Sequence, residues 1–160
     1  MRSLMAARLV LLDSDPMRRE ALIQALSEVG AFEIAGIATV AETSSASPPD
    51  LYIVEGPSLS ANDAGGSITP NPFAASAIPT VLILPEPTSE QRRAALLAGY
   101  AVVLAAPVSV RLLYRRIAQL LQNARRAKRR AEFAATRDKN KRLEEVSPAQ
   151  VALLAEATAN

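Results

Sequence analysis

Five short apolar runs recur along the first two thirds of the chain, and each is bounded by polar residues, proline or glycine. They cover residues 8–12, 32–39, 50–57, 79–85 and 100–105. Continuous apolar runs of this length predict strands that are buried on both faces, as in the middle of a parallel sheet, while the run at residues 32–39 is less clearly patterned. The third run ends in the single acid Glu55, which therefore belongs at the carboxyl edge of the sheet, where open α/β folds place their ligands.

Apolar residues at helical spacing fill three of the gaps around these strands. The first helix has Pro16 in its first turn, is capped by Ser14 or Asp15, and ends at Gly30. A capping box at residues 88–91 opens a second helix, which Gly99 ends. The helical positions with apolar residues are Met17, Ala21, Leu22, Ala25, Leu26 and Val29 in the first helix, and Leu112, Leu113, Ile117, Leu120 and Leu121 in the last.

Strands that alternate with helices predict a doubly wound, five-stranded parallel sheet of the α/β class. Residues 40–49 and 58–77 are polar or punctuated by glycine and proline, so loops or poorly formed helices are expected there. Beyond residue 123 the inward positions become alanines among basic residues, which supports at best a weak coiled coil. We therefore expect a domain at residues 1–123 and a basic helical extension at 124–160. A capping-box pattern at Ser147 favours a further short helix there, and whether residues 124–160 form one helix or two stays open.

The amino-acid composition limits the catalytic groups that the chain can use. The chain has no cysteine and no histidine, which excludes thiol nucleophiles, disulfides and imidazole bases. Residues 1–110 carry 6 basic against 11 acidic residues, whereas residues 111–160 carry 12 against 5. With no signal peptide and no apolar segment long enough for a bilayer, we expect a cytoplasmic protein.

The order of these elements resembles the receiver domain of response regulators, the CheY-like fold, over residues 8–123. The matching stretches are residues 9–16, 50–57, 78–85 and 99–107, which occur in order at nearly the family's spacing. A working receiver places two acids and an acceptor aspartate around Mg²⁺, with a hydroxyl and a lysine beside the phosphoryl group. Phosphoryl transfer depends on positioning and charge neutralisation, so loss of these groups removes the mechanism.

The resemblance implies a degenerate site in this chain. The first acid is Asp13. The position of the second acid falls on Ser14, but Asp15 follows directly, so a shift of the alignment by one residue stays open. The acceptor position is Glu55. The hydroxyl and lysine positions fall on Leu84 and Ala106, respectively. We therefore expect a non-enzymatic pseudo-receiver with no catalytic residue, no cofactor and no retained Mg²⁺ site.

A receiver domain without a phosphorylation site still has surfaces that can bind other proteins. Receivers pair through the region around the fourth helix, fifth strand and fifth helix, and we expect a homodimer or a second signalling protein to bind here or on the basic extension. The candidate surface residues are Arg92, Arg93, Tyr100, Arg115, Arg116, Arg125, Arg126, Arg129 and Arg130.

Three alternatives stay open. The chain could be a phospho-accepting regulator that uses Glu55 or Asp15, or a nucleic-acid-associated protein that uses its basic extension. Residues 146–156 also resemble the opening helix of the LuxR-type helix-turn-helix. The sequence therefore leaves open whether this segment is a docking helix or the front of a longer regulator.

Overall fold

The computed structural model describes residues 6–43, 47–58 and 68–157, with side chains through residue 145 apart from Ser58. Within that part of the chain the strands are β1 (Ala7–Leu12), β2 (Phe32–Ile37), β3 (Leu51–Glu55), β4 (Thr80–Pro85) and β5 (Val102–Ala106), and the α-helices are α1 (Pro16–Val29), α2 (Ser89–Leu97) and α3 (Val110–Ala157).

The five strands form one parallel sheet in the order β2-β1-β3-β4-β5. This order confirms the predicted doubly wound α/β fold. Strand β3 lies in the middle, and all five of its residues are buried. Because parallel strands share a direction, the residues that end β1, β3, β4 and β5 lie along one edge of the sheet.

The core lies in two layers, one on each face of the sheet. On one face Leu11 and Ile53 pack with Leu26 of α1 and with Leu113 and Ile117 of α3. The other face has a second cluster, made of Leu12, Ile37, Tyr52, Val54, Phe73, Leu82, Ala95, Tyr100 and Val103. Burial on both faces explains why β3 and β4 read as continuous apolar runs, whereas the edge strand β2 has only Ile37 buried.

Helix α1 begins and ends where the sequence predicts. The Asp15 side chain accepts hydrogen bonds from the backbone N–H groups of Met17 and Arg18, at 3.0 and 3.2 Å, and Gly30 follows the last turn. Two of the apolar residues at helical spacing are exposed: Met17 at 83% and Val29 at 41%. Met17 lies nine positions before the buried Leu26, which places the two on opposite sides of a helix with 3.6 residues per turn.

Helix α2 has the predicted capping box between Thr88 and Gln91. Gly99 follows it at a φ of 97°, a left-handed conformation that favours glycine. The other connections hold only short 3₁₀ helices in the described residues, as expected for loops. In the described part of the connection before β4, Phe73 stacks on Tyr52 of β3, with ring centroids 3.8 Å apart, and so covers this part of the sheet.

The chain divides into two compact units between Leu121 and Gln122. Backbone helix continues through Ala157, so the separate helix predicted to start at Ser147 is not present. None of the helices in the described ranges is long and apolar enough to cross a membrane. Residues 1–5, within the segment read for a signal peptide, and residues 44–46 and 59–67, within the predicted loops, lie outside the described residues.

Candidate functional site

The carboxyl edge of the sheet carries the positions that the sequence singles out. Asp13 follows β1, Glu55 is the last residue of β3, Leu84 lies near the end of β4, and Ala106 ends β5. These strands are consecutive neighbours in the sheet, so the four residues lie along one edge.

Arg18, which the sequence analysis does not single out, is the central cation of this edge. Its Nε and Nη2 atoms donate to Oδ2 and Oδ1 of Asp13, each at 2.7 Å. Its Nε also lies 4.0 Å from Oε1 of Glu55. One guanidinium therefore bridges the two acids, in the bidentate geometry that gives arginine–carboxylate pairs their strength.

The Asp13 carboxylate is held from several directions. Its side chain is fully buried, and its Oδ1 also accepts from the backbone N–H of Asp15 at 2.9 Å. The backbone N–H of Asp13 donates to the Ile37 carbonyl at 3.0 Å, while the Arg19 guanidinium donates to the Asp13 carbonyl at 2.6 Å. Such a buried carboxylate needs its partners, because an uncompensated buried charge is strongly destabilising.

Glu55 is also buried, with 7% of the residue exposed. Burial raises the pKa of its carboxyl above the ordinary value of 4.5, the charge of Arg18 opposes this rise, and the charge of Asp13 adds to it. Desolvation disfavours the ionised form of a carboxyl, so the protein holds Glu55 in a position where its proton is bound more tightly than in water.

Ser14 and Asp15 are exposed, whereas Asp13 is buried. The Asp15 side chain caps α1 through the backbone N–H groups of Met17 and Arg18. This local role accounts for an acid at position 15, because aspartate is among the preferred residues at helix N-caps.

Leu84 and Ala106, where the resemblance implies a hydroxyl and a lysine in receivers, carry apolar side chains. The Leu84 side chain lies directly over the Cα of Gly56, so close that a methyl group added to Gly56 would collide with its Cδ2 atom. The peptide bond between Ala106 and Pro107 is cis. The edge beside Glu55 is therefore partly filled by the leucine side chain.

Mg²⁺, which receivers hold at this edge, does not fit the residues present. Mg²⁺ needs near-octahedral oxygen ligands at 2.0–2.1 Å. Both oxygens of Asp13 already accept hydrogen bonds from a guanidinium at 2.7 Å, and the Asp15 carboxylate caps a helix. Within the described part of the chain there is no group of three or more acidic residues that could hold a metal ion.

The candidate surface residues separate into three sets. Arg92 and Arg116 line a groove of about 660 Å³ between α2, β5 and the start of α3. Arg93 and Arg115 are exposed but are not among the groove residues. Tyr100 does not belong to the surface: it is 3% exposed.

The ring of Tyr100 is buried because it packs in the second core cluster, and its hydroxyl donates to the Thr69 carbonyl at 3.0 Å. The groove itself is shaped by Arg92, whose Nη1 donates to the Val103 carbonyl at 3.0 Å. The remaining groove residues are mostly apolar: Leu96, Ala101, Val102, Val103, Leu104, Ala105, Pro107, Val108, Ser109 and Leu112.

The basic residues predicted on the extension are all exposed along α3: Arg125, Arg126, Arg129 and Arg130. Phe133 follows them, with 76% of its surface exposed. Arg129, Arg130 and Arg137 lie four residues before, three before and four after Phe133, so they share its face of the helix.

Comparison with known proteins supports the fold but not a sequence family. No family model matches the chain, and neither does any curated protein. Solved structures do match. A CheY-like receiver domain protein of Methanospirillum hungatei is 16% identical, with a TM-score of 0.59 over 76% of this chain and 98% of the other.

HP1043, an orphan response regulator of Helicobacter pylori, is 20% identical, with a TM-score of 0.55 over 72% of this chain and 96% of the other. The pilus assembly protein CpaE of Burkholderia thailandensis is 16% identical, with a TM-score of 0.61 over 72% of this chain and 98% of the other. The parallel order β2-β1-β3-β4-β5 and these matches together show that the chain has the receiver fold of response regulators.

Proposed function

We propose that this chain is a cytoplasmic, non-enzymatic signalling module, a receiver fold that does not cycle through phosphorylation and acts by binding other proteins. The observation that carries the proposal is the apolar side chain of Leu84 lying over Gly56, directly after Glu55. A working receiver needs a hydroxyl at this position to contact the phosphoryl group. Leucine cannot donate a hydrogen bond to phosphate oxygens, so a phosphoryl group here would have no such contact.

Charge supports the same conclusion. No lysine occurs anywhere in residues 1–127, so no lysine of the receiver unit can pair with a phosphoryl group. The nearest cation to Glu55 in the described site is Arg18, and its guanidinium already binds Asp13. Catalysis of phosphoryl transfer depends on cations that neutralise the developing charge.

The test is incubation of the full chain with acetyl phosphate and Mg²⁺, followed by intact mass measurement. We expect no mass gain, and the backbone-amide spectrum should stay unchanged with beryllofluoride. The Glu55→Asp variant sharpens the test by restoring the family's acceptor. We expect it to stay unmodified too, because Leu84 and Ala106 are still in place. A phosphoryl adduct on the wild-type chain would overturn the proposal.

The groove between α2, β5 and α3 is the docking surface that we propose for a second copy of the chain. Its floor is apolar and its rim carries Arg92 and Arg116. An isologous pair brings the same patch of both copies together. Glu86 and Glu90, just before and within the first turn of α2, give the second copy acidic groups for these arginines. If the chain is a monomer, the occupant is another signalling protein.

A second function has one specific observation in its favour, the exposure of Phe133 among Arg129, Arg130 and Arg137. Exposed aromatic rings stack on nucleic-acid bases, and neighbouring arginines contact phosphates. Binding of a single-stranded oligonucleotide that weakens steeply with salt would support this function, whereas salt-insensitive or absent binding would exclude it.

A further inference from the structure

The acidic corner of the site contains its own cation. We infer that the guanidinium of Arg18 takes the place that a divalent metal holds in receivers, so that the wild-type site excludes Mg²⁺. This inference deepens the proposed function and rests on it, because a receiver that still cycled through phosphorylation would need its metal.

Geometry is the first support. Arg18 contacts both oxygens of Asp13 at 2.7 Å and lies 4.0 Å from Glu55, which places its positive charge between the two acids. A metal ion that bound Asp13 would have to displace these two charge-assisted hydrogen bonds. The metal ion would also come close to the positively charged guanidinium that donates these hydrogen bonds, since the Arg18 side chain is only 46% exposed and is held against the site.

The position of Arg18 on its helix is the second support. It is the third residue of α1, after the cap Asp15, where the positive end of the helix dipole disfavours a cation. The local cost is offset by the acids that surround the guanidinium. The pKa of Arg18 is raised, with its hydrogen bond to Asp13 as the largest cause. An arginine in this unfavourable local setting is therefore explained by the acids it bridges.

The rigidity of Asp13 is the third support. Its Oδ1 accepts a second hydrogen bond from the Asp15 N–H, and its backbone is bound on both sides. The carboxylate therefore cannot rotate toward a metal without breaking bonds to the start of α1. The start of α1 would have to move for Mg²⁺ to enter.

The test uses Mn²⁺ as a paramagnetic stand-in for Mg²⁺ and reads the backbone amides of the full chain. Arg18→Met removes the charge and keeps most of the length of the side chain. Arg93→Met is the control, because it removes the same charge from an exposed residue of α2.

We expect no localised broadening in the wild type or in Arg93→Met, and saturable broadening around Asp13 and Glu55 in Arg18→Met. The affinity of the variant should rise by about tenfold or more, because a unit charge a few ångströms from the ligands changes binding by at least that order. Saturable broadening of the wild type at these residues would overturn the inference. So would an Arg18→Met protein that is folded and binds no better than the wild type.

A second measurement covers the case in which Arg18→Met does not fold. The urea midpoint of the wild type should be unchanged by Mg²⁺ at matched ionic strength, because a ligand stabilises a protein only if it binds the folded state. A rise in the midpoint would overturn the inference. Wild type that binds Mn²⁺ at the site but gains no phosphoryl group would refute this inference alone, whereas a phosphoryl adduct would refute the proposed function.

Discussion

Arg18 is shared unequally by two acids: its guanidinium lies 2.7 Å from Asp13 and 4.0 Å from Glu55. The close pair has two hydrogen bonds in a buried setting, whereas the distant pair has none at that length. The stability of this corner should therefore depend on Asp13 far more than on Glu55.

Double-mutant cycles measure this difference. We expect a coupling free energy of about 2 kcal/mol between Arg18→Met and Asp13→Asn, reduced from the range for fully buried pairs because Arg18 is half exposed. For Arg18→Met with Glu55→Gln we expect less than about 1 kcal/mol. Urea unfolding at neutral pH gives both values. Equal couplings would contradict the geometry.

Glu55 makes a distinct contribution to the pH dependence of stability. Its folded pKa is raised above 4.5, mainly by burial, so the folded state binds its proton more tightly than the unfolded state. The stability from this group is fully present below 4.5 and is lost as the pH rises through the folded pKa. Residue 55 cannot titrate in the Glu55→Gln variant. The free energy of unfolding of this variant should therefore rise relative to that of the wild type as the pH rises through the folded pKa of Glu55.

The measurement is urea unfolding of both proteins at several pH values from about 4 to 7, with the difference plotted against pH. Glu33→Gln is a suitable control, because Glu33 is an exposed acid on β2. A difference between wild type and Glu55→Gln that does not vary with pH would contradict the raised pKa.

Arg92 and Arg93 are neighbours in the sequence, as are Arg115 and Arg116, and only one arginine of each pair lines the groove. This difference allows a matched test of docking. Arg92 and Arg116 line the groove, whereas Arg93 and Arg115 do not. We expect Arg92→Glu with Arg116→Glu to weaken self-association by about tenfold or more, because like charges replace favourable ones at an interface. Arg93→Glu with Arg115→Glu should change it much less.

Sedimentation of the full chain and of both variants gives the dissociation constants. Urea unfolding serves as a check on folding, because Arg92 also donates to the Val103 carbonyl. Equal effects of the two charge reversals would place the interface elsewhere.

The face of α3 around Phe133 allows a similar comparison. Arg129, Arg130 and Arg137 share that face, whereas Lys128, Lys139 and Arg142 lie on the other side of the helix. If the extension binds single-stranded nucleic acid through Phe133, reversing the first three charges should weaken binding more than reversing the second three. Phe133→Ala should cost roughly 1–3 kcal/mol of binding free energy.

Fluorescence anisotropy with a labelled oligonucleotide at two salt concentrations measures these effects. Equal losses for both sets of charges, with no effect of Phe133→Ala, would indicate non-specific attraction to a basic helix.

Much of the fold follows from local patterns. The strand around Ile53 is recognisable because burial on both faces requires a continuous apolar run. The cap at Asp15 and the capping box at Thr88 are equally local, since each is formed by residues two or three apart. The alignment of Asp13, Glu55, Leu84 and Ala106 at one edge also follows from the sequence, because parallel strands in this order end on the same side.

The partners of those residues depend on contacts that no local pattern encodes. Arg18 reads as one more charged residue of α1 until the turn after β1 folds its side chain back onto Asp13 and toward Glu55, a residue 37 positions away in the chain. Tyr100 reads as a surface residue until its hydroxyl meets Thr69. By itself the sequence determined the strands, the caps and the acids at the edge, because these arise from neighbouring residues. The tertiary structure alone decided which cation pairs with the acids and which side chains stay exposed, because both depend on how distant segments pack.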